Sequence, residues 1–299
     1  MQISEDWACD DKRGSCVSLK SDRKTTSSFE SEHFPAEGTE IRRQEDRLML
    51  QAMISTQVNN RYFNQNAPHV KYRETVVLWL VDTVGKLNYK PSTMHSAIAF
   101  FDAISSLSLI NIEQVKLVAF VCMYLAAKLE QKHGEIPTIA DCLALFENQF
   151  SRKDFETCEA LVFKMLKYRL NIVTPFHFLS FFLTQELLGE EDFGADEEFD
   201  LQAVNRKFAK ECMKLLEKSL LNYDFYRYTS LAVAAGIVAA VRSRFNLKSA
   251  WSKNLEELTM VSYDSIGSCT FTLLEAFDQK SGKPKISPRC TSMLAEPAR

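Results

Sequence analysis

Two charged residues near the middle of the chain stand on otherwise apolar helical faces. Lys128 lies in the segment YLAAKLE and Glu159 in CEALVFK. A charge in such a setting is costly unless an opposite charge or a hydrogen bond meets it. The residues alone therefore predict an ion pair, either between these two side chains or with a neighbour such as Glu130.

Other reactive residue types form no recognisable site. The chain has 8 cysteines and 5 histidines, the cysteines include no C-x-x-C pair, and the histidines are scattered. Phosphate-binding loops, nucleophile elbows and metal-ligand spacings are also missing from the sequence. We therefore expect a protein that is not an enzyme and that holds no metal and no cofactor.

Charge and the first residues limit the partners and the compartment. The net charge is -3 and the isoelectric point is about 6.0, so the sequence shows no basic surface for nucleic acid. The N-terminal segment MQISEDWACDDKRG lacks the apolar core of a signal peptide. We expect the nucleus and the cytoplasm as its location.

The chain is organised around residues 115–130, which read VKLVAFVCMYLAAKLE. Small and apolar residues occupy every side of a helical wheel drawn for this stretch, which is typical of a buried helix. Its 16 residues are too few to cross a bilayer comfortably, and Lys128 and Glu130 end it in charge. A central helix of a helical domain is expected, with no membrane span.

Composition divides the rest of the chain. Residues 1–40 and 281–299 are polar, charged or rich in proline, and we expect both tails to be disordered. Leu50, Met53, Ile54 and Val58 form an apolar stripe, which predicts an amphipathic helix that precedes the central domain. The acidic stretch LGEEDFGADEEFD is expected to be a solvated linker.

A second small-residue helix, in YTSLAVAAGIVAAVRSRF, follows the first central helix by roughly 110 residues. The helical patterns on either side of it repeat the order seen around residues 115–130. This self-similarity predicts two copies of one all-α fold. Because alanine and glycine replace larger side chains in the second copy, its helices should approach more closely.

Five residues in order resemble the cyclin box. They are Arg73 in YRETVVLWL, Asp102 in AFFDAIS, Leu117 in VKLVAF, then Lys128 and Glu159. The resemblance covers about residues 45–278 and looks most like the J-type cyclins. It implies two tandem five-helix repeats, at 41–175 with the N-terminal helix and at 176–280. In cyclins, the N-terminal helix packs outside the first repeat and reaches a kinase.

The resemblance also implies a function, which is to bind and activate a cyclin-dependent serine/threonine kinase as a heterodimer in cell-cycle control. Arg73 and Asp102 would form a structural salt bridge, and Leu117 would lie in the core. Lys128 and Glu159 would bond the kinase backbone from an exposed apolar rim. That rim would comprise Leu125, Leu129, Phe163, Tyr168 and Leu170. A transcription-associated cyclin, or a two-repeat binding protein like a general transcription factor, remains the alternative.

A substrate-docking groove for Arg-x-Leu motifs is a further feature of many cell-cycle cyclins. The matching positions here are Tyr72, Thr75, Val76, Trp79 and Lys116. Lys116 stands where a glutamine usually helps to hold the motif, and it repels the cationic motif. Thr75 makes the groove less apolar. We therefore expect weak recruitment of Arg-x-Leu substrates, if any.

Overall fold

A computed structural model describes residues 37–57, 63–107, 109–144, 149–185, 187–193 and 200–278. Residues 1–42 and residues 43–299 form two units, and the packing described below lies within the second. The tails expected at 1–40 and 281–299 lie outside the described residues, except that the first helix begins at Glu37. Val58 of the predicted stripe also lies outside them.

The described residues form eleven α-helices and no named strand, which confirms the prediction of an all-α fold. An isolated parallel bridge joins Gln57 to Val173. The helices are α1 (Glu37–Thr56), α2 (Val70–Lys86), α3 (Pro91–Leu107), α4 (Val115–Glu130), α5 (Ile139–Ala144), α6 (Arg152–Met165), α7 (Pro175–Leu183), α8 (Leu201–Leu221), α9 (Ser230–Arg244), α10 (Lys253–Thr259) and α11 (Tyr263–Asp278).

Local signals explain where several of these helices begin. Ser151 accepts a hydrogen bond from the Asp154 backbone N–H at 3.2 Å, and the Asp154 carboxylate accepts one from the Ser151 N–H at 2.9 Å. This reciprocal capping box satisfies amides that the first turn of α6 would leave unpaired. Pro175 occupies the first turn of α7, where its fixed φ suits a helix and its missing N–H costs nothing.

The first repeat comprises α2 to α6, packed around α4. Every residue of α4 from Leu117 to Ala127 is buried, as its apolar pattern predicts. Leu117 itself is 5% exposed and belongs to the core of this repeat. The helix becomes exposed only at Lys128 and Leu129, so the end of α4 is where the buried centre of the repeat meets the surface.

The second repeat comprises α7 to α11, packed around α9. A Cβ atom added to Gly236 of α9 would lie 3.2 Å from Leu273 Cδ1 and 3.3 Å from Cys269 Sγ, both on α11. A side chain at this position would require these α11 side chains to shift by a few tenths of an ångström. The small residues of this copy thus allow close contact between α9 and α11 at this position.

The N-terminal helix packs against the second repeat. Leu50 is 1% exposed and belongs to that repeat's core, and Met53 and Ile54 pack against it. Just beyond the helix, the Gln57 side-chain oxygen accepts a hydrogen bond from the Leu231 N–H at 3.2 Å. The apolar stripe of this helix therefore lies outside the first repeat and is buried against the core of the second.

Part of the acidic stretch after α7 is not a solvated linker. Asp192 forms an ion pair with Arg242 of α9, and the two side chains are 11% and 1% exposed. Residues 194–199 of the same stretch lie outside the described residues. The prediction was wrong at Asp192 because its partner, the Arg242 guanidinium, lies 50 residues further along the chain.

Candidate functional site

Lys128 and Glu159 meet at the surface edge between α4 and α6. The Lys128 Nζ atom lies 2.6 Å from Glu159 Oε1. The Lys128 side chain is 39% exposed and that of Glu159 is 16% exposed, so the pair borders solvent. Of the two pairings that the residues left open, the structure has the one between these two side chains. Both charges remain close enough to the surface to meet another protein.

Glu130, the other candidate partner of Lys128, points to a different element. Its Oε1 lies 3.3 Å from His177 Nε2 of α7 and accepts a hydrogen bond from Ser96 Oγ at 3.0 Å. His177 Nδ1 accepts from the Thr174 N–H at 3.1 Å, which leaves the ring proton on Nε2, facing Glu130. The hydrogen bond from His177 lowers the pKa of Glu130, although partial burial opposes this. Glu130 therefore joins the repeats and leaves Lys128 to Glu159.

Exposed apolar side chains surround the pair, and we call this surface the rim. Leu129 is 51% exposed and Tyr168 is 74% exposed. Phe163 and Leu170 are partly buried and pack on the first-repeat core. Leu161 is 55% exposed on α6, but it lies two residues beyond Glu159 and faces away from the pair, because side chains on one helix face are three or four residues apart.

Leu125 does not belong to the rim. It is fully buried within the first-repeat core, and the prediction that it is exposed for partner contact was wrong. Because α4 is surrounded up to Ala127, a residue one turn before Lys128 has no path to solvent. The exposed rim residues are Leu129 and Tyr168 instead.

A strained turn after α6 projects Tyr168 outward. Lys167 and Tyr168 have φ angles of 53° and 58°, in the left-handed region that side chains other than glycine rarely adopt. The Tyr168 N–H donates to the Phe163 carbonyl at 2.9 Å, which closes the turn. The two rings stack with centroids 6.5 Å apart. The largest exposed side chain of the rim is thus held in place by its own turn.

Arg73 and Asp102 form a buried, two-pronged ion pair between α2 and α3. Arg73 Nε donates to Asp102 Oδ1 at 2.7 Å and Nη2 donates to Oδ2 at 2.8 Å. Arg73 Nη1 also donates to the Leu220 carbonyl at 2.9 Å, at the end of α8. Burial works against the charged guanidinium, but the Asp102 carboxylate outweighs it and raises the pKa of Arg73. This pair therefore joins the repeats as well as two helices.

The residues predicted to form the docking groove differ in their exposure, and one of them is buried. Lys116 Nζ lies 5.9 Å from the centre of the Trp79 ring, so a lysine ammonium stands over the groove's main aromatic side chain. Tyr72, Thr75 and Trp79 are partly buried. Val76 is 2% exposed in the first-repeat core, so its assignment to a docking surface was wrong.

The cysteines that the structure describes are structural. Cys122, Cys142, Cys158, Cys212 and Cys269 are buried and free. Burial raises the pKa of Cys142 to about 12 and that of Cys158 to about 11, so both thiols stay protonated at neutral pH. Among the described residues, no group of three or more Cys, His, Asp or Glu could hold a metal ion. No helix among them is long and apolar enough to cross a membrane.

Both repeats match profiles of known protein families. The profile described as "Cyclin, N-terminal domain" matches residues 47–171, and "Cyclin, C-terminal domain" matches residues 173–289. The chain belongs to the cyclin family. The resemblance read from Arg73, Asp102, Leu117, Lys128 and Glu159 is thereby confirmed.

Relatives of this cyclin include J-type and mitotic members. It is 27% identical over 193 residues to Cyclin-J of Xenopus laevis, covering 63% of this chain and 50% of that protein. It is 24% identical over 217 residues to G2/mitotic-specific cyclin-2 of Medicago sativa, and the match covers 73% of this chain and 60% of that protein. The cyclin thus spans between half and two thirds of the length of these relatives.

A solved structure agrees on the fold. The X-ray structure of a viral cyclin from herpesvirus saimiri superposes with a TM-score of 0.55, at 12% identity, over 79% of this chain and 96% of that one. This likeness supports the tandem helical repeats of this cyclin.

Proposed function

We propose that this cyclin is the non-catalytic regulatory subunit of a cyclin-dependent serine/threonine kinase, which it binds as a heterodimer and activates in cell-cycle control. The observation that carries the proposal is the solvent-bordering pair of Lys128 and Glu159 beside Leu129 and Tyr168. Exposed apolar side chains around hydrogen-bonding charges are typical of a surface that a partner protein covers.

The energetics of the pair favour a role in binding over a role in stability. An ion pair at the border with solvent contributes roughly 0–1 kcal/mol to folding, because water still solvates the Lys128 ammonium. When a partner removes that water, charge-assisted hydrogen bonds to its backbone become much stronger. Truncating one such side chain typically costs about 2–5 kcal/mol of association. Lys128 and Glu159 therefore contribute more free energy to binding at an interface than to the folding of the free chain.

Activation would follow from selective binding. Phosphoryl transfer by a protein kinase requires a lysine–glutamate pair between a strand and a mobile helix, and an ordered activation loop. This cyclin would bind the kinase conformation in which that helix is turned inward. Differential affinity for the two conformations then shifts the population toward the active one. The cyclin contributes no reacting group in this mechanism.

The test is to purify Lys128→Ala and Glu159→Ala and to measure binding to a panel of cyclin-dependent kinases, together with phosphate transfer to a peptide substrate. Each substitution should weaken association by about 30-fold or more, which corresponds to the lower end of the 2–5 kcal/mol range. Thermal unfolding of the free variants should change little, because neither side chain fills core volume.

A matched control is Arg152→Ala, which breaks an exposed pair with Glu156 on the same helix α6, where the side chains are 74% and 49% exposed. It should leave both stability and kinase binding intact. A large loss of stability with full kinase binding in the Lys128 and Glu159 variants would contradict the proposal. It would assign the pair to the folding of the chain alone.

A further inference from the structure

The Lys128–Glu159 pair is one of two adjacent contacts between α4 and α6. Tyr124 precedes Lys128 by one helical turn, and Phe155 precedes Glu159 by one turn. The rings of Tyr124 and Phe155 meet edge to face, with centroids 5.2 Å apart and planes at 77°. Because i and i+4 side chains share a helix face, the aromatic contact lies directly beside the ion pair.

Tyr124 also contacts the ion pair itself. The Lys128 Nζ atom lies 4.4 Å from the centre of the Tyr124 ring, well within the distance at which a ring face attracts an ammonium group. Tyr124 is 7% exposed and its ring is fixed against Phe155, which is fully buried. The Lys128 ammonium therefore has two anchors, a carboxylate that borders solvent and a ring that is held by the core.

These two anchors behave differently when a partner binds. Glu159 must redirect its carboxylate if it is to accept hydrogen bonds from a partner, and Lys128 then loses its 2.6 Å contact. A lysine side chain with no second anchor would regain its rotamer freedom, and binding would have to restrict it again. The Tyr124 ring cannot turn away in the same manner, because it is packed between α4 and α6.

We propose that Tyr124 is a positioning residue, which holds the Lys128 ammonium at the edge of the rim while Glu159 turns to the partner. The proposal rests on the proposed function, in that the partner is a cyclin-dependent kinase. Tyr124 is nearly buried in the free chain, so it acts through Lys128. Its ring is the part that matters, and its hydroxyl is dispensable.

The experiment compares Tyr124→Leu with Tyr124→Phe in binding to the kinase that the wild-type chain binds. The leucine variant loses the ring and should weaken association by about 3- to 30-fold, the range expected for a cation–π contact at a partly desolvated site. The phenylalanine variant keeps the ring and should bind within about twofold of wild type. Equal binding by the leucine variant and the wild type would overturn the proposal.

A control separates positioning from packing. Phe155→Leu keeps the ring over Lys128 but removes the edge-to-face contact that fixes it, so it should lower the melting temperature and weaken kinase binding less than Tyr124→Leu does. In a Lys128→Gln background, Tyr124→Leu should weaken kinase binding no further. If Tyr124→Leu weakened kinase binding in that background as much as it does in the wild type, Tyr124 would act independently of Lys128. The proposal would then be wrong.

A measurement on the free chain keeps this inference apart from the proposed function. The unfolding constants of Tyr124→Leu, Lys128→Gln and the double variant form a thermodynamic cycle. A coupling of about 2- to 5-fold is expected if the ring attracts the ammonium. Additive effects would overturn the positioning role even if the kinase binds. If the two substitutions are coupled but the chain binds no kinase, the contact between Tyr124 and Lys128 exists in the free chain. The proposed function and the binding role assigned to Tyr124 would then both be wrong.

Discussion

Arg242 and Asp192 form a buried ion pair that fixes the turn after α7 to the central helix of the second repeat. Arg242 Nη1 donates to Asp192 Oδ2 at 3.0 Å and to the Leu187 carbonyl at 2.7 Å, while Nε donates to the Ser249 carbonyl at 3.2 Å. The guanidinium is 1% exposed, so these groups replace the water that it gives up on folding. The pair therefore connects two loops through α9.

We expect Asp192→Ala to lower the free energy of unfolding by about 3–5 kcal/mol, because it leaves a buried guanidinium without its counter-ion. Glu190→Ala, which removes an exposed carboxylate from the same turn, is the control and should change stability by less than about 0.5 kcal/mol. Chemical denaturation of both variants measures the difference. Equal and small effects would show that the remaining carbonyl contacts suffice for Arg242.

Leu50 should be the principal anchor of the N-terminal helix. Because it is 1% exposed in the second-repeat core, Leu50→Ala should lower the free energy of unfolding by about 2–4 kcal/mol. Leu48→Ala, at a position 59% exposed on the same helix, should be nearly neutral. Denaturant titration followed by circular dichroism compares the two. A neutral Leu50 variant would mean that α1 packs elsewhere in solution.

Acid should destabilise the chain through His95. This side chain is 2% exposed and stacks on Phe176 with ring centroids 5.1 Å apart. Burial, with a smaller effect from His177, lowers its pKa to about 3, whereas an unfolded histidine titrates near 6.5. Between these values the unfolded state binds more protons, so stability falls as the pH falls. From pH 7 to pH 5 the contribution of His95 amounts to a loss of about 2 kcal/mol.

The check is the free energy of unfolding at pH 7, 6 and 5 for the wild type and for His95→Phe. The variant should show a shallower decline, although His69, whose pKa burial also lowers, will keep part of it. His133→Phe, at an exposed position, should decline as the wild type does. Identical slopes in all three proteins would rule out His95 as a source of acid sensitivity.

Lys116 should limit the recruitment of Arg-x-Leu peptides. Its ammonium lies 5.9 Å from the centre of the Trp79 ring and would repel the arginine of such a motif. We expect weak binding by the wild type and an increase of at least about fivefold for Lys116→Gln, measured by fluorescence anisotropy at low salt. Tight wild-type binding, or no gain in the variant, would contradict this account of the groove.

The helices and their grouping follow from local patterns in the sequence. The apolar run from Val115 to Glu130 coincides with α4, and the small-residue run around Gly236 coincides with α9. Such features can be read from the sequence because helical periodicity and capping involve residues only three or four positions apart. The order of Arg73, Asp102, Leu117, Lys128 and Glu159 similarly indicated the family, which the matches at 47–171 and 173–289 confirm.

Which side chains each helix buries, and against what, depends on how the helices pack together. Leu125 and Leu129 are both apolar residues of α4, yet the first is enclosed and the second is exposed, because the neighbouring helices surround α4 only as far as Ala127. In the sequence Asp192 is one of several acidic residues, and only the fold pairs it with Arg242. Burial and pairing of this kind depend on contacts between residues far apart in the chain, and no local pattern specifies them.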